Sequence, residues 1–241
     1  MPWRHVLNWP AQLTAIHAVL LLLFALSPAT GAGQRFFDDF DGEDLGSHWS
    51  IGNPKGGWIY SVHDSLLDVH GFAGFSASQW IYAHVGAYED FDLRAHVGWV
   101  EGDSPFQSLS VQLFNNLQGG FVAGMTYRLE RLDGRARTTI TADIAEGPRV
   151  DMSGPADGFH HFRISREASQ FTAYFDGQKI LQGNGTSADA VYIRLLFRGR
   201  LQPASTQLYV DSVGVVPEPS AAVLVASGLA ALALRRNGRH L

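Results

Sequence analysis

The chain has 241 residues, of which 46% are hydrophobic, 12% aromatic and 17% charged, with a formal net charge of −5. It contains no cysteine, which excludes a disulfide framework, a thiolate metal site and cysteine catalysis. Between positions 34 and 214, 14 Lys and Arg stand against 22 Asp and Glu, a balance of −8 with no basic patch in the sequence for a phosphate backbone, so nucleic acid is not an expected partner.

In chain order, the weakly basic start Met1-Pro2-Trp3-Arg4-His5 leads into an unbroken apolar run from Ala18 to Leu26, then into small residues from Ser27 to Gly33. Basic, apolar and small-residue regions in that order read as a secretory signal peptide over 1–33, a helix cleaved between Ala29 and Gly33. A permanent N-terminal anchor is the other reading, but the run is short of the ~20 residues that span a bilayer.

Residues 34–215 are long enough to bury roughly 70% of their unfolded surface in one core. They show no convincing amphipathic helix; two-residue alternation predominates. Leu93, Ala95, Val97 and Trp99 alternate with Asp92, Arg94, His96 and Gly98, and Leu109, Val111 and Leu113 with Ser108, Ser110 and Gln112. Phe162 and Ile164, then Phe171, Ala173 and Phe175, then Ile193, Leu195 and Phe197 continue the pattern. One side of each such strand enters a core and the other stays wet. Asp133-Gly134 divides Met125–Leu132 from Ala136–Ile144, and Asp176-Gly177 divides Phe171–Phe175 from Lys179–Leu181. Asp-Gly between apolar runs signals a hairpin, because both central residues take positive φ. Asn184-Gly185-Thr186 fits a glycosylation sequon and is read as a turn. Ten or more short strands with such turns predict an all-β, antiparallel two-sheet sandwich of jelly-roll type.

The chain ends with Val216-Pro217-Glu218-Pro219, an uncharged stretch from Ser220 to Leu234, and a cluster that includes Arg235 and Arg236. A 15-residue helix over 220–234 reaches about 22 Å, short of a ~30 Å hydrocarbon core. It can act as a transmembrane helix in a thinned bilayer if the arginines snorkel, and those arginines then stay cytoplasmic. This segment resembles the PEP-CTERM sorting signal over residues 216–239. The resemblance implies a Gram-negative bacterium, export across the inner membrane with transient anchoring there, cleavage by a membrane-embedded exosortase near the Pro-Glu-Pro, and delivery to the cell surface or biofilm matrix. Val216, Pro217, Glu218, Pro219, Arg235 and Arg236 would be read by the sorting machinery and would carry no catalysis.

The middle resembles the concanavalin A-like lectin/glucanase superfamily, with laminin-G-like features. The residues behind this are the opening Phe36-Phe37-Asp38-Asp39-Phe40-Asp41-Gly42 with Leu45 and Trp49, the Tyr88–Arg94 lead-in, the Phe175–Gln178 hairpin and the closing Tyr209–Val215. The fold does not supply an activity. A retaining glycosidase needs two carboxyl groups about 5–5.5 Å apart, and glucanases of this superfamily set theirs on one strand as Glu-x-Asp-x-Glu or Glu-x-Asp-x-x-Glu. The nearest match, Glu101-Gly102-Asp103, lacks the third acid and runs into Pro105. The 88–99 strand also resembles 3-keto-disaccharide hydrolases, but Ser108–Gln112 departs from their next strand. No Gly-x-Ser-x-Gly elbow occurs, and adjacent His160 and His161 point to opposite sides of a strand, so they cannot share one ion. The superfamily's glucanases hold a structural Ca²⁺ with a last-strand Asp. The resemblance therefore implies a calcium site from Asp39 and Asp41, beside Asp38, together with Asp211.

If the apolar halves of the strands face the core, the opposite halves supply a ligand face: Trp80, Tyr82 and His84; Arg94 and His96; Gln112 and Phe114; Arg128 and Glu130; Tyr192, Arg194 and Arg198. Flat rings stack on sugars, while Arg, Gln and Glu bond hydroxyl groups. Three readings of function stay open. The first is an exported, non-catalytic surface or matrix protein that binds polysaccharide. The second is a structural biofilm-matrix protein without a defined ligand, and the third is a glycoside or keto-disaccharide hydrolase.

Overall fold

Two-residue alternation becomes strand after strand. The computed structural model describes residues 35–52, 58–71, 76–100, 105–132, 134–200 and 206–217, and these contain no helix. The expected signal peptide, the 220–234 span, Glu218, Pro219, Arg235 and Arg236, and the Glu101–Asp103 motif lie outside them. The strands are β1 (Phe36–Asp38), β2 (Ser50–Gly52), β3 (Trp58–His63), β4 (Leu66–Gly71), β5 (Ser76–Tyr88), β6 (Phe91–Trp99), β7 (Phe106–Asn116) and β8 (Gly119–Leu132). They continue as β9 (Arg135–Ile144), β10 (Arg149–Ser153), β11 (Gly158–Glu167), β12 (Gln170–Phe175), β13 (Gln178–Asn184), β14 (Ala190–Arg200) and β15 (Thr206–Pro217).

All pairings are antiparallel. One sheet, termed here the front sheet, runs β10-β9-β8-β7-β14-β5-β2. The back sheet runs β13-β12-β11-β6-β15-β4-β3, with β1 paired to the far part of β15. Long crossovers put β14 between β7 and β5, and β15 between β6 and β4, as in a jelly-roll sandwich.

The two inner faces meet in one core. Leu93, Ala95, Val97 and Trp99 from the back sheet pack toward Leu109, Val111, Leu113, Met125, Tyr127, Ile193, Leu195 and Phe197 from the front sheet. The Trp99 and Tyr127 rings stack at 3.8 Å and 11°, tying β6 to β8 across the sandwich. Such an aromatic pair adds about 0.5–1.5 kcal/mol beyond area burial. Buried Gln107 donates from Nε2 to the Tyr127 hydroxyl at 3.0 Å and to the Val100 carbonyl at 2.9 Å, which pairs the Tyr127 hydroxyl within the core.

The turn chemistry follows the residues. Asp176 (φ 49°) and Gly177 (φ 78°) close the β12–β13 hairpin, and Gly134 (φ 77°) lies in the β8–β9 turn. A third tight turn, Asp64-Ser65 between β3 and β4, also holds two positive φ angles and carries no glycine to announce it. Asn184 of the sequon is the last residue of β13, where the Gly185 amide meets the Ser169 carbonyl and the Thr186 amide the Ala145 carbonyl. At the C-terminal end, β15 runs past residue 215: Val216 pairs with Asp92 and Pro217 with Phe91. The first two residues of the expected sorting signal thus belong to the last strand of the sandwich.

Candidate functional site

The outer side of the front sheet can be built row by row from its register. The first row reads Ser78, Arg198, Ser108, Arg128 and Thr139 across β5, β14, β7, β8 and β9. The next reads Gly52, Trp80, Leu196, Ser110, Thr126, Thr141 and Asp151 from β2 to β10. The third reads Ser50, Tyr82, Arg194, Gln112, Gly124, Asp143 and Arg149. His84, Tyr192 and Phe114 begin a fourth. Neighbours within a row stand about 4.5–5.5 Å apart.

Ser108 and Ser110 point out of the core, yet they are only 3% and 4% exposed, and Leu196 is buried beside them. Small side chains here form the floor of a trough walled by larger ones. The floor is polar, with Thr126 donating to the Ser110 hydroxyl at 2.8 Å. Two neighbouring hollows follow this trough. One, of about 290 Å³, is lined by Ser108, Ser110, Thr126, Arg128, Arg149 and Arg198 among others. The second, of about 240 Å³, is lined by Gly52, Trp80, Tyr82, Phe114, Tyr192 and Arg194 among others.

Each wall residue is held by a specific neighbour. The Trp80 indole occupies the space over Gly52, where a Cβ would lie 1.9 Å from its Nε1. Arg194 donates to Gln112 Oε1 from Nε at 3.0 Å and Nη2 at 2.7 Å, with its guanidinium 4.0 Å from the Phe114 ring centroid. Burial, and then the nearby positive charge of Arg198, draw the Arg194 pKa below the usual arginine value. His84 meets Tyr192 edge-on at 5.3 Å. Arg128 pairs with Glu130 and lies over the Phe106 ring. At the far end Arg149 sits between Asp143 (3.9 Å) and Asp151 (3.3 Å). A hydrogen bond from Thr141 is the largest influence holding the Asp151 carboxyl below the ordinary carboxylate value; burial opposes it, and Arg149 and Arg128 add to the lowering.

The structure divides the ligand face expected from alternation. Trp80, Tyr82, His84, Gln112, Arg128, Glu130 and Arg194 share the front sheet's outer side. Arg94 and His96 do not, and this corrects their grouping with the others: they lie on β6 in the back sheet, facing away on the opposite side of the sandwich. Alternation tells inward from outward but not which of two sheets a strand joins. There Arg94 and Arg163 both donate to buried Asp92, while His96 stacks on His161 at 4.2 Å and pairs with Asp211 at 2.8 Å. A larger hollow of about 780 Å³ lies on this back face, bordered by Phe37, His96, His161 and Val216. Its border includes β1 and β15 where both run toward residues outside those described.

The expected calcium ligands are not gathered. Asp39 and Asp41 are exposed in the turn after β1, and Asp211 faces His96. Asp38 instead braces its own turn, accepting from the Phe40 amide at 2.8 Å and Trp49 Nε1 at 2.5 Å. Among the described residues no three His, Asp or Glu are grouped as a metal ion requires. Sequence reasoning missed the trough floor and Gly52. Nothing in a serine or glycine marks it as a floor until its cross-strand neighbours are known.

No protein-family model matches this chain, and no curated protein matches it significantly. Solved structures do. The chain is similar to the CBM2 module of the evolved Dit of Lactobacillus casei BL23 phage J-1, with TM-score 0.59 and 12% identity over 76% of this chain and 94% of that one. It is similar to the laminarinase catalytic domain of Thermotoga maritima MSB8, with TM-score 0.57 and 13% identity over 77% and 98% of the two chains. It is also similar to a glycoside hydrolase family 16 endo-glucanase from Bacteroides ovatus, with TM-score 0.53 and 12% identity over 75% and 99%. At these identities the likeness shows the fold alone: an all-β jelly-roll sandwich of two antiparallel sheets.

Proposed function

We propose that this protein binds polysaccharide without cleaving it, along the outer trough of the front sheet, and does so outside the cell. The observation that carries the reading is the juxtaposition in that trough: Trp80, Tyr82 and Tyr192 beside a polar floor of Ser108, Ser110 and Thr126. Rings offer apolar faces to pyranose rings, and the floor offers hydroxyl partners to sugar hydroxyls. The non-catalytic part rests on the acids of the same face. Along β7 the outward positions are Phe106, Ser108, Ser110, Gln112 and Phe114, with no carboxylate. Glu130 is paired to Arg128, and Asp143 and Asp151 are held by Arg149. A glycosidase's proton donor needs a raised pKa, whereas that of Asp151 is lowered. Export, exosortase sorting and surface or matrix delivery belong to the same proposal and rest on the residues of the two chain ends.

The test is affinity electrophoresis of the full-length protein through gels containing individual β-glucans, galactans and polyuronates. Retardation by at least one polymer, weakened about tenfold (roughly 1.4 kcal/mol) by Trp80→Ala, is expected. No retardation by any polymer, or release of reducing ends from one of them, would overturn the reading.

A further inference from the structure

We infer that the polysaccharide bound in the front trough is acidic, its carboxylate or sulfate groups being met by Arg194 and Arg198 of β14; this rests on the binding reading above. The charge is distributed unevenly. Toward β8 and β10, Arg128 is paired with Glu130, and Arg149 with Asp143 and Asp151. Arg194 and Arg198 of β14 have no such carboxylate among the described residues. Among the described residues Arg194 is held by a neutral amide and an aromatic face, those of Gln112 and Phe114. Arg198 is exposed, borders the trough, and has no carboxylate or hydrogen-bond partner among the described residues. Two arginines four residues apart on one strand point out of the same face, with Leu196 as the one outward residue of β14 between them. They repel one another, in a chain whose net charge is −5.

The position of this charge matters as much as its sign. Trp80 is the cross-strand neighbour of Leu196, so its row lies between those of Arg198 and Arg194. A sugar ring stacked on the indole therefore has a guanidinium within reach on either side. Gln112 and Phe114 hold the Arg194 fork in place before any ligand arrives, which lowers the ordering cost of an ionic hydrogen bond. Nearby Ser108 and Ser110 are too small to cover either guanidinium.

The experiment compares four probes with the full-length protein: polygalacturonate, the same polymer after carboxyl reduction to a neutral galactan, a sulfated galactan, and a single-stranded oligonucleotide. Binding to polygalacturonate or the sulfated galactan, but not to the carboxyl-reduced polymer, is expected, and the acidic polymer retained identifies the anionic group. That binding should weaken about tenfold in Arg198→Gln and in Arg194→Gln, and much less in Arg198→Lys. It should also fall as salt rises from about 0.02 M to about 0.5 M. Arg198 is exposed, so Arg198→Gln keeps the fold, and an unchanged melting temperature verifies this. Equal binding of the reduced and unreduced polymers, still dependent on Trp80, would overturn this inference and leave the binding reading standing. Binding of the oligonucleotide as tightly as the acidic polysaccharide would overturn it as general polyanion attraction. Binding to none of these probes would overturn this inference, and retardation by a β-glucan would then leave the binding reading standing, while its absence would remove both.

Discussion

At the scale of single residues, the trough depends on what is small. Gly52 admits the Trp80 indole because it has no Cβ; a methyl group there would sit 1.9 Å from Nε1 and displace the ring. Gly52→Ala on its short strand should therefore weaken polysaccharide binding about as much as Trp80→Ala, roughly tenfold, although it removes no side-chain atom from the trough. Parallel titrations of the two variants check this. Asp151 gives a second residue-scale expectation. Its folded pKa is depressed, so its contribution to stability is present above the ordinary value of 3.8 and is lost as pH falls below it. Thr141 is the largest cause, so Thr141→Val should move the Asp151 titration upward toward 3.8, followed by carboxyl-carbon NMR. Of these residues only Trp80 was legible in the sequence as a ligand candidate. Gly52 and Thr141 act through neighbours about 30 and 10 positions away, and no local pattern announces them.

At the scale of elements, hairpins are written locally and sheets are not. Asp176-Gly177 reads as a tight turn because two consecutive positive φ angles suit few residue pairs, and β12 and β13 meet there. A Cβ on Gly177 would meet nothing within 4 Å, so Gly177→Ala is penalised through backbone conformation alone. Its expected cost is about 1–2 kcal/mol in urea unfolding, with binding in the trough on the other sheet unchanged. The Asp64-Ser65 turn reaches the same geometry without glycine and was not legible for that reason. The alternation of β6 correctly turned Arg94 and His96 outward, but it could not assign β6 to the back sheet. That assignment comes from its hydrogen bonds to β11 and β15, the latter more than 100 residues away in sequence.

At the scale of the whole molecule, the boundary between domain and tail falls later than the sequence motif suggests. Val216 and Pro217 complete the ladder from β15 to β6, so the first two residues of the proposed sorting signal belong to the sandwich. Removing residues 218–241 should misdirect the protein while leaving its melting temperature unchanged. Removing 213–241 also strips the β15 partners of β1 and should lower it markedly. Cell fractionation and calorimetry of the two truncations check both expectations. The sequence by itself determined that this is a cysteine-free, alternating, all-β chain with Asp-Gly hairpins, because each of those properties depends on a few consecutive residues. Only the tertiary structure decided that Trp80, Ser108, Arg128 and Arg198 share one trough while His96 lies on the far side. The physical reason is that backbone hydrogen bonds between distant strands set that neighbourhood. A chain of net negative charge thereby places Arg194 and Arg198 beside the half-buried rings of Trp80, Tyr82 and Tyr192.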